Sequence, residues 1–304
     1  MNDHIERRTF LTAGAALLGA GLVGAAGCSS SSSSAKTSGP TMTTAGATAG
    51  AAAGPGPFAV LSSVFDFFTG IDQRVAFALA TNDSQPIHPT GPVTVQIGPL
   101  GGALDPPVTG VLHGAGLVNP YVLVRHQFAT PGMYVVRVTY NGQQSDLPIK
   151  VVSPADTQIP LTGKPMISVP TPTNAHPMGV NPVCTNQPPC PFHNVSLDAA
   201  LAAHRPVALL FATPALCQSR FCGPVLDNLA AVYQPFAAKV TFIHCEIYTD
   251  LSGQTSTSPV LAYHLEHEPM LLLAGADGVV RERIDNASDQ TEQSDALTRL
   301  VSVS

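Results

Sequence analysis

In the first half of the chain, apolar residues alternate with polar or small ones at the two-residue period of a half-buried strand. Residues 75–79 and 134–140 both follow this pattern. The Asn141-Gly142 dipeptide tolerates positive φ and predicts a tight turn into a return strand over 147–151. Repeated short strands of this kind predict an antiparallel, all-β sandwich over residues 57–153.

From residue 181 onwards the pattern changes to short continuous apolar runs separated by stretches with helical spacing. Continuous apolar runs are typical of strands that are buried on both faces. In chain order we expect a helix over 197–204, a strand over 206–211, a helix marked by Leu226, Leu229 and Tyr233, a strand over 240–248, a helix over 258–265, strands over 270–273 and 279–284, and a closing helix over 291–303. This order predicts an α/β domain over 181–304.

Prolines recur through the stretch that joins these two regions. Proline fixes φ and lacks a backbone N–H, so it opposes regular ladders and favours extended, semi-rigid backbone. We therefore expect a connector over residues 154–180.

Composition and charge exclude one class of function. The chain has 304 residues, of which 44% are hydrophobic, and it can bury a sizeable core. Its 14 Lys and Arg residues against 20 Asp and Glu residues give a net charge of −6. No basic field is available to hold phosphates by counterion release, so we expect no nucleic-acid partner.

The N-terminus carries the features of an export signal. Arg7 and Arg8 precede Phe-Leu and a weakly hydrophobic run, which resembles a twin-arginine signal over residues 1–28. The sequence Ala-Ala-Gly before Cys28 resembles a lipoprotein cleavage box, in which the cysteine becomes lipidated. A stretch rich in Ser, Ala and Gly follows over 29–56 and predicts a disordered tether. These features predict an extracytoplasmic protein anchored to the membrane through Cys28.

Two cysteines lie where the second region passes from its first buried strand into a helix. The stretch from Phe211 to Pro224, with Cys217 and Cys222 separated by four residues, resembles the redox turn of the thioredoxin-like superfamily. Glu268-Pro269 before an apolar run resembles the cis-proline turn of the same superfamily. The resemblance covers about residues 181–304 and implies an α/β thioredoxin-like fold there.

Two further resemblances concern the whole chain. Residues 128–135 resemble the late strand turn of bacterial immunoglobulin-like modules, which implies an immunoglobulin-like sandwich over 57–153. The order of signal, tether, sandwich and thioredoxin-like region is similar to that of exported bacterial lipoproteins of the actinobacterial type.

The thioredoxin resemblance implies thiol-disulfide exchange with protein thiols or disulfides in the cell envelope, with no cofactor. Cys217 would attack at the mouth of the helix, Cys222 would resolve, and Glu268 and Pro269 would flank them. The family pattern is W-C-G-P-C, from which this chain departs because it has no Trp and a longer spacing. A second register matches Cys222 to the first family cysteine and leaves a one-cysteine site.

Three expectations about the chemistry of this site follow from the residues. Glu268 should raise the pKa of a neighbouring thiol by like-charge repulsion. Cys217 and Cys222 lie too far apart to bridge within an intact helix. We therefore expect the reduced helix to extend towards Cys217 and the oxidised one to be shorter.

Two alternative functions remain open. Exported thioredoxin-fold copper chaperones use two helix-borne cysteines and a distant histidine, for which this chain offers Cys217, Cys222 and His267 (or His264), with Met270 nearby. The other alternative is a non-catalytic envelope binding module, in which Cys217 and Cys222 form a structural disulfide.

The remaining cysteines suggest structural roles. Cys184 and Cys190 bracket a stiff, proline-containing loop and are expected to form a disulfide in an oxidising compartment. Metal capture by these two residues with His193 is the competing interpretation. Cys245 shares a strand face with Ile243 and Ile247 and is expected to be a buried small hydrophobe.

Overall fold

A computed structural model describes residues 56–302 of the chain. The predicted export signal, the lipidation site Cys28 and the predicted tether up to residue 55 lie outside the described residues. Among the described helices, none has the length and apolar character that crossing a membrane requires.

Two five-stranded sheets occupy the first region. One has the order β1-β3-β8-β7 with β4 paired to β3, and the other has the order β2-β10-β9-β5-β6. Their strands are β1 (Ala59–Ser62), β2 (Phe67–Phe68), β3 (Gln73–Ala80), β4 (Pro86–Ile87), β5 (Thr94–Pro99), β6 (Val108–Thr109), β7 (Val111–His113), β8 (Tyr121–His126), β9 (Gly132–Tyr140) and β10 (Gln143–Val152). Side chains from both sheets, such as Phe77 and Val136, belong to one buried core. The predicted sandwich is present.

The predicted hairpin is also present. β9 and β10 pair antiparallel, with Tyr140 opposite Gln143. Asn141 and Gly142 between them have φ values of 50° and 74°. Both residues of the turn therefore lie in the left-handed region, as the Asn-Gly dipeptide predicts.

A four-stranded sheet with helices forms the second region, and its strand order is β12-β11-β13-β14. β11 pairs parallel with β12, and the other two pairs are antiparallel. The elements are α1 (Leu197–Ala202), β11 (Val207–Phe211), α2 (Cys222–Val232), β12 (Thr241–Cys245), α3 (Ser258–Ala262), β13 (Met270–Ala274), β14 (Val280–Asp285) and α4 (Gln290–Ser302). Among the described residues that belong to regular secondary structure, most lie in β-strands and fewer in helices.

Both faces of this third sheet are covered. Leu210 of β11 packs in one core with residues of α2 and α4. Its neighbour Leu209 packs in a second core with residues of α1 and α3. The strand is fully buried along its length, which explains its continuous apolar sequence.

The proline-rich connector packs against the third sheet along part of its length. Gly163 donates a backbone hydrogen bond to Val280, and Val280 donates one to Lys164. Ile159 and Met166 are buried in the core on the side of α1 and α3. The connector thus binds the outer edge of the sheet at the start of β14, without forming a strand of its own.

Buried charges join the sandwich to the second region. The Arg74 guanidinium of β3 contacts both carboxylate oxygens of Glu292 in α4, at 2.9 and 3.0 Å, and both side chains are almost fully buried. Tyr121 also donates a hydrogen bond to Glu292. Asp289 accepts the N–H of Gly114 at 2.7 Å and that of Glu292 at 2.8 Å, so one carboxylate caps α4 and binds a sandwich loop.

Candidate functional site

Cys217 and Cys222 come together at the start of α2, as predicted. Cys222 is the first residue of the helix and fully buried, whereas Cys217 lies in the preceding turn and is partly exposed. Both thiols are free in the structure. The expected extension of the reduced helix towards Cys217 is therefore wrong. Arg220, which lies between the two cysteines, has a φ of 61°. This left-handed conformation cannot be part of a right-handed α-helix, so no continuous helix joins Cys217 to Cys222.

The sulfur of Cys217 is surrounded by hydrogen-bond donors. The backbone N–H of Cys222 donates to Cys217 Sγ at 3.4 Å, and the Ser219 hydroxyl lies 3.2 Å from it. The Cys222 side chain contributes most to lowering the pKa of Cys217, with Ser219 and the backbone N–H groups adding to it. These interactions outweigh burial and lower the pKa of Cys217 to about 5. The sulfur is therefore a thiolate at neutral pH.

Glu268 supplies a carboxyl group on the buried side of the pair. Its Oε2 atom lies 3.4 Å from Cys222 Sγ. Burial, reinforced by the nearby charge of Cys217, raises the pKa of Glu268 to about 8. Burial also raises the pKa of Cys222, and the hydrogen bond with Cys217 and the charge of Glu268 add to that effect. The expected influence of Glu268 on a thiol thus applies to Cys222, whereas the pKa of Cys217 is lowered.

The cis peptide bond expected at Glu268-Pro269 is present. It belongs to the loop that precedes β13 and brings the Glu268 carboxyl to the two cysteines.

The histidine that the copper interpretation requires does not lie beside the two cysteines. Ligand atoms of Cys217, Cys222 and Glu268 lie within 4.8 Å of one another, and this grouping does not include the predicted copper ligand His267. The ring of His267 instead stacks on Phe65 of the sandwich, with centroids 4.4 Å apart. Met270 is fully buried in a sheet core.

A second cluster of side chains lies against the face of the third sheet that α2 and α4 cover. The disulfide expected between Cys184 and Cys190 is not formed, because their Sγ atoms are 3.8 Å apart and both thiols are free. The structure places them with His193, which the competing interpretation included, and with His244, which it did not. All four side chains are buried.

Two parts of the chain build this second cluster. Cys184, Cys190 and His193 lie in the irregular segment before α1, and His244 lies in β12. The backbone N–H of His244 donates to Phe192 O at 3.1 Å, which holds the segment beside the strand. The sequence did carry a signal for His244, because it is a titratable side chain between the apolar residues Ile243 and Cys245 of a buried strand.

Cys245 confirms its prediction as a buried small hydrophobe. It is fully buried and packs in the same core as Ile243 and Ile247. Burial raises the pKa of the Cys245 thiol to about 12, so this thiol stays protonated and unreactive at neutral pH.

Comparisons with known proteins give only distant likenesses. No protein-family model and no curated protein matches the chain. A polysaccharide lyase and an engineered protein each match 32% of this chain at 15% identity and a TM-score of 0.21. The match spans only 12% of the lyase and 20% of the engineered protein. The PKD domain of the human receptor SorCS2 matches 41% of this chain over 98% of its own length, at 17% identity and a TM-score of 0.18. At these scores the likenesses assign neither a fold family nor a function.

Proposed function

We propose that this chain is an extracytoplasmic thiol-disulfide oxidoreductase that uses Cys217 and Cys222, with protein thiols or disulfides of the cell envelope as its partners. The observation that carries the proposal is the contrast between the two thiols. Cys217 is accessible and has a pKa lowered to about 5, while Cys222 beside it is buried and has a raised pKa. An attacking thiol must be an accessible thiolate, and a resolving thiol must be protected until it is needed.

The exchange starts at Cys217. Its thiolate attacks one sulfur of a partner disulfide, so a mixed disulfide forms and the partner's other sulfur leaves as a thiolate. Cys222 then loses its proton, and its thiolate attacks the Cys217 sulfur, so the mixed disulfide breaks and the partner sulfur that was bonded to Cys217 leaves as a thiolate. The partner gains two electrons, and the protein is left with a Cys217–Cys222 disulfide. The reverse sequence oxidises a partner dithiol.

Glu268 is placed to take the proton of Cys222. While Cys217 is a thiolate, its charge helps to raise the pKa of Glu268. Formation of the mixed disulfide removes that charge, which lowers the pKa of Glu268 and favours loss of its proton to solvent. The resulting carboxylate lies 3.4 Å from Cys222 Sγ, within reach of the proton that must leave.

A thioredoxin-like fold for the second region and an immunoglobulin-like fold for the sandwich are part of this proposal. The order of the elements from α1 to α4 and the position of Glu268-Pro269 against the cysteines support the first. Two sheets around one core, antiparallel except for the parallel pair of β2 and β10, support the second.

Anchoring through lipidated Cys28 is the remaining part, and it rests on the sequence. A Cys28→Ala chain should move from the membrane fraction to the soluble envelope fraction. Unchanged membrane fractionation would contradict the anchor without affecting the thiol chemistry.

Oxidation with glutathione tests the proposed activity. The reduced full chain is mixed with oxidised glutathione, quenched by acid and analysed by peptide mass spectrometry. We expect a Cys217–Cys222 disulfide in the native chain and an arrested Cys217–glutathione adduct in Cys222→Ser. In Glu268→Gln, the Cys217 adduct should form normally and persist longer. Cys245→Ala is the matched control and should behave like the native chain.

Two results would contradict the proposal. One is an undiminished reaction in Cys217→Ser. The other is a Cys217–Cys222 couple with a reduction potential below about −300 mV, which is typical of structural disulfides that the glutathione pool does not open. The second result would favour the non-catalytic binding module.

A further inference from the structure

We infer that Cys184, Cys190, His193 and His244 form a buried, four-coordinate zinc site. The inference concerns a cluster separate from Cys217 and Cys222 and does not depend on the proposed exchange activity. Its basis is the mutual geometry of four donor atoms that the fold brings together from two parts of the chain.

Five of the six distances between the donor atoms lie within about 0.3 Å of the edges of a tetrahedron around Zn²⁺, and the sixth, between His193 Nε2 and Cys184 Sγ, is below 4.8 Å. With Zn–S near 2.3 Å and Zn–N near 2.05 Å, a regular tetrahedron has edges of about 3.8 Å between sulfurs, about 3.6 Å between sulfur and nitrogen, and about 3.3 Å between nitrogens. The two sulfurs are 3.8 Å apart, and His244 Nδ1 is 3.2 Å from His193 Nε2. His244 Nδ1 lies 3.7 Å from Cys184 Sγ and 3.5 Å from Cys190 Sγ, and His193 Nε2 lies 3.3 Å from Cys190 Sγ.

Neighbouring groups orient two of the four ligands, His244 and Cys184, for a metal. His244 Nε2 lies 3.0 Å from the carbonyl oxygen of Ala212. A carbonyl can only accept, so Nε2 carries the proton and the lone pair of Nδ1 points into the cluster. The backbone N–H of Cys190 donates to Cys184 Sγ at 3.4 Å, an interaction that stabilises a thiolate ligand.

A disulfide explains this cluster less well than a metal does. It would join the two cysteines but would leave two buried imidazoles facing a sulfur pair that carries no charge. His193 and His244 are 2% and 0% exposed, so water does not compensate them. A cation with four ligands satisfies all four donor atoms at once.

The donor set selects the metal and the kind of site. Two thiolates and two imidazoles in tetrahedral geometry suit Zn²⁺, whereas Cu²⁺ favours tetragonal geometry. Four protein ligands with no open position make a structural site. The ion would fasten the irregular segment from Cys184 to His193 onto β12.

Metal analysis of the full chain tests the site. The protein is purified without chelator, and its zinc and copper are measured by mass spectrometry alongside protein concentration. We expect one zinc ion per chain. Cys184→Ser and His244→Asn should lose it, and the matched control Cys217→Ser/Cys222→Ser should keep it. Cobalt exchanged into the native chain and into that control should give thiolate charge-transfer and intense tetrahedral d–d bands, a readout that does not require the ligand variants to fold.

Three outcomes would overturn the inference. A Cys184–Cys190 disulfide in the freshly purified chain without bound metal would restore the disulfide prediction. Metal that is lost from Cys217→Ser/Cys222→Ser and retained in Cys184→Ser would belong to the other cluster. Copper in place of zinc, or cobalt without thiolate charge transfer, would exclude the proposed zinc site.

Discussion

At the scale of single residues, the environment moves the pKa values of neighbouring groups in opposite directions. Cys217 has a pKa lowered to about 5, and Glu268 has one raised to about 8. Between these values Cys217 is charged and Glu268 is neutral. Groups with separated pKa values in one site can divide the roles of nucleophile and proton carrier between them.

Glu268 should make the stability of the protein depend on pH. The pKa of Glu268 has its ordinary value of 4.5 in the unfolded chain and is about 8 in the fold. Between these two pH values the folded protein therefore binds more protons than the unfolded chain does. The contribution of Glu268 to stability is therefore fully present below pH 4.5, falls as the pH rises towards 8, and then levels off. Cys217, whose pKa is lowered to about 5, contributes in the opposite direction over the same range, so the informative quantity is the difference between the native chain and Glu268→Gln. Between pH 5 and pH 8 the native chain should lose more stability, or gain less, than Glu268→Gln, which urea unfolding would measure. The same change in both proteins would show that Glu268 is ionised in the fold.

The two clusters differ in how far the sequence could predict them. Cys217 and Cys222 are close in sequence beside a strand end, and Glu268 precedes a recognisable proline, so local patterns indicated this site. His244 is 60 residues from Cys184 and 51 from His193. Its place in the second cluster depends on how β12 packs beside the irregular segment, which local spacing does not encode.

At the scale of elements, the start of α2 determines the geometry of the thiol pair. The turn before the helix contains Arg220 at φ of 61°, and Cys217 O accepts the N–H of Arg220 at 3.3 Å. The turn keeps Cys217 outside the helix and next to the N–H of Cys222. A left-handed conformation is costly for a side chain with a Cβ and is easy for glycine.

Arg220→Gly should consequently preserve or increase stability. Relief of the left-handed strain is worth about 1 kcal/mol, partly offset by the greater freedom of glycine in the unfolded chain. Urea unfolding of the variant should give a midpoint at or above that of the native chain. Arg220→Ala, which retains a Cβ, is the control and should show no increase. A clear loss of stability in Arg220→Gly alone would contradict the role assigned to this turn.

The elements themselves could largely be predicted from the sequence, and their ends could not. Alternation predicted the sandwich hairpin, and continuous apolar runs predicted β11 and β13. The predicted strand over 240–248 is shorter, because β12 ends at Cys245 and the chain then turns away. Strand ends depend on which neighbour supplies hydrogen bonds, and the composition of the strand does not specify that neighbour.

At the scale of the whole molecule, a buried ion pair lies in the interface between the sandwich and the second region. Arg74 and Glu292 are 3% and 4% exposed and form a two-point contact. Removing one partner of a buried pair leaves an uncompensated charge, whereas replacing both with apolar residues of similar size can be nearly neutral. The connector's prolines predicted a joint between domains, but they gave no sign of this interface.

Arg74→Met should therefore destabilise the protein by about 3–5 kcal/mol. Arg74→Met/Glu292→Met should recover only part of that loss, because the Ala287 carbonyl that Arg74 binds and the Tyr121 hydroxyl that binds Glu292 lose their partners as well. The reference is Arg137→Met, which removes a more exposed ion pair with Asp146 and should cost at most about 1 kcal/mol. Urea unfolding of all three variants measures these effects. A double variant as unstable as Arg74→Met would show that the charge pair is not the source of the stability.

The carboxylate of Asp289, which caps α4 and also binds the Gly114 loop of the sandwich, has a consequence for how such a chain can evolve. Modular proteins gain new combinations when a gene is cut and rejoined at a linker, and the proline-rich connector looks like such a point. A recombinant that inherited only the second region would leave the N-terminus of α4 exposed to solvent. It would also leave Glu292 without its partner Arg74. We therefore expect the two regions to be inherited together, with substitutions at Arg74 in related chains accompanied by substitutions at Glu292.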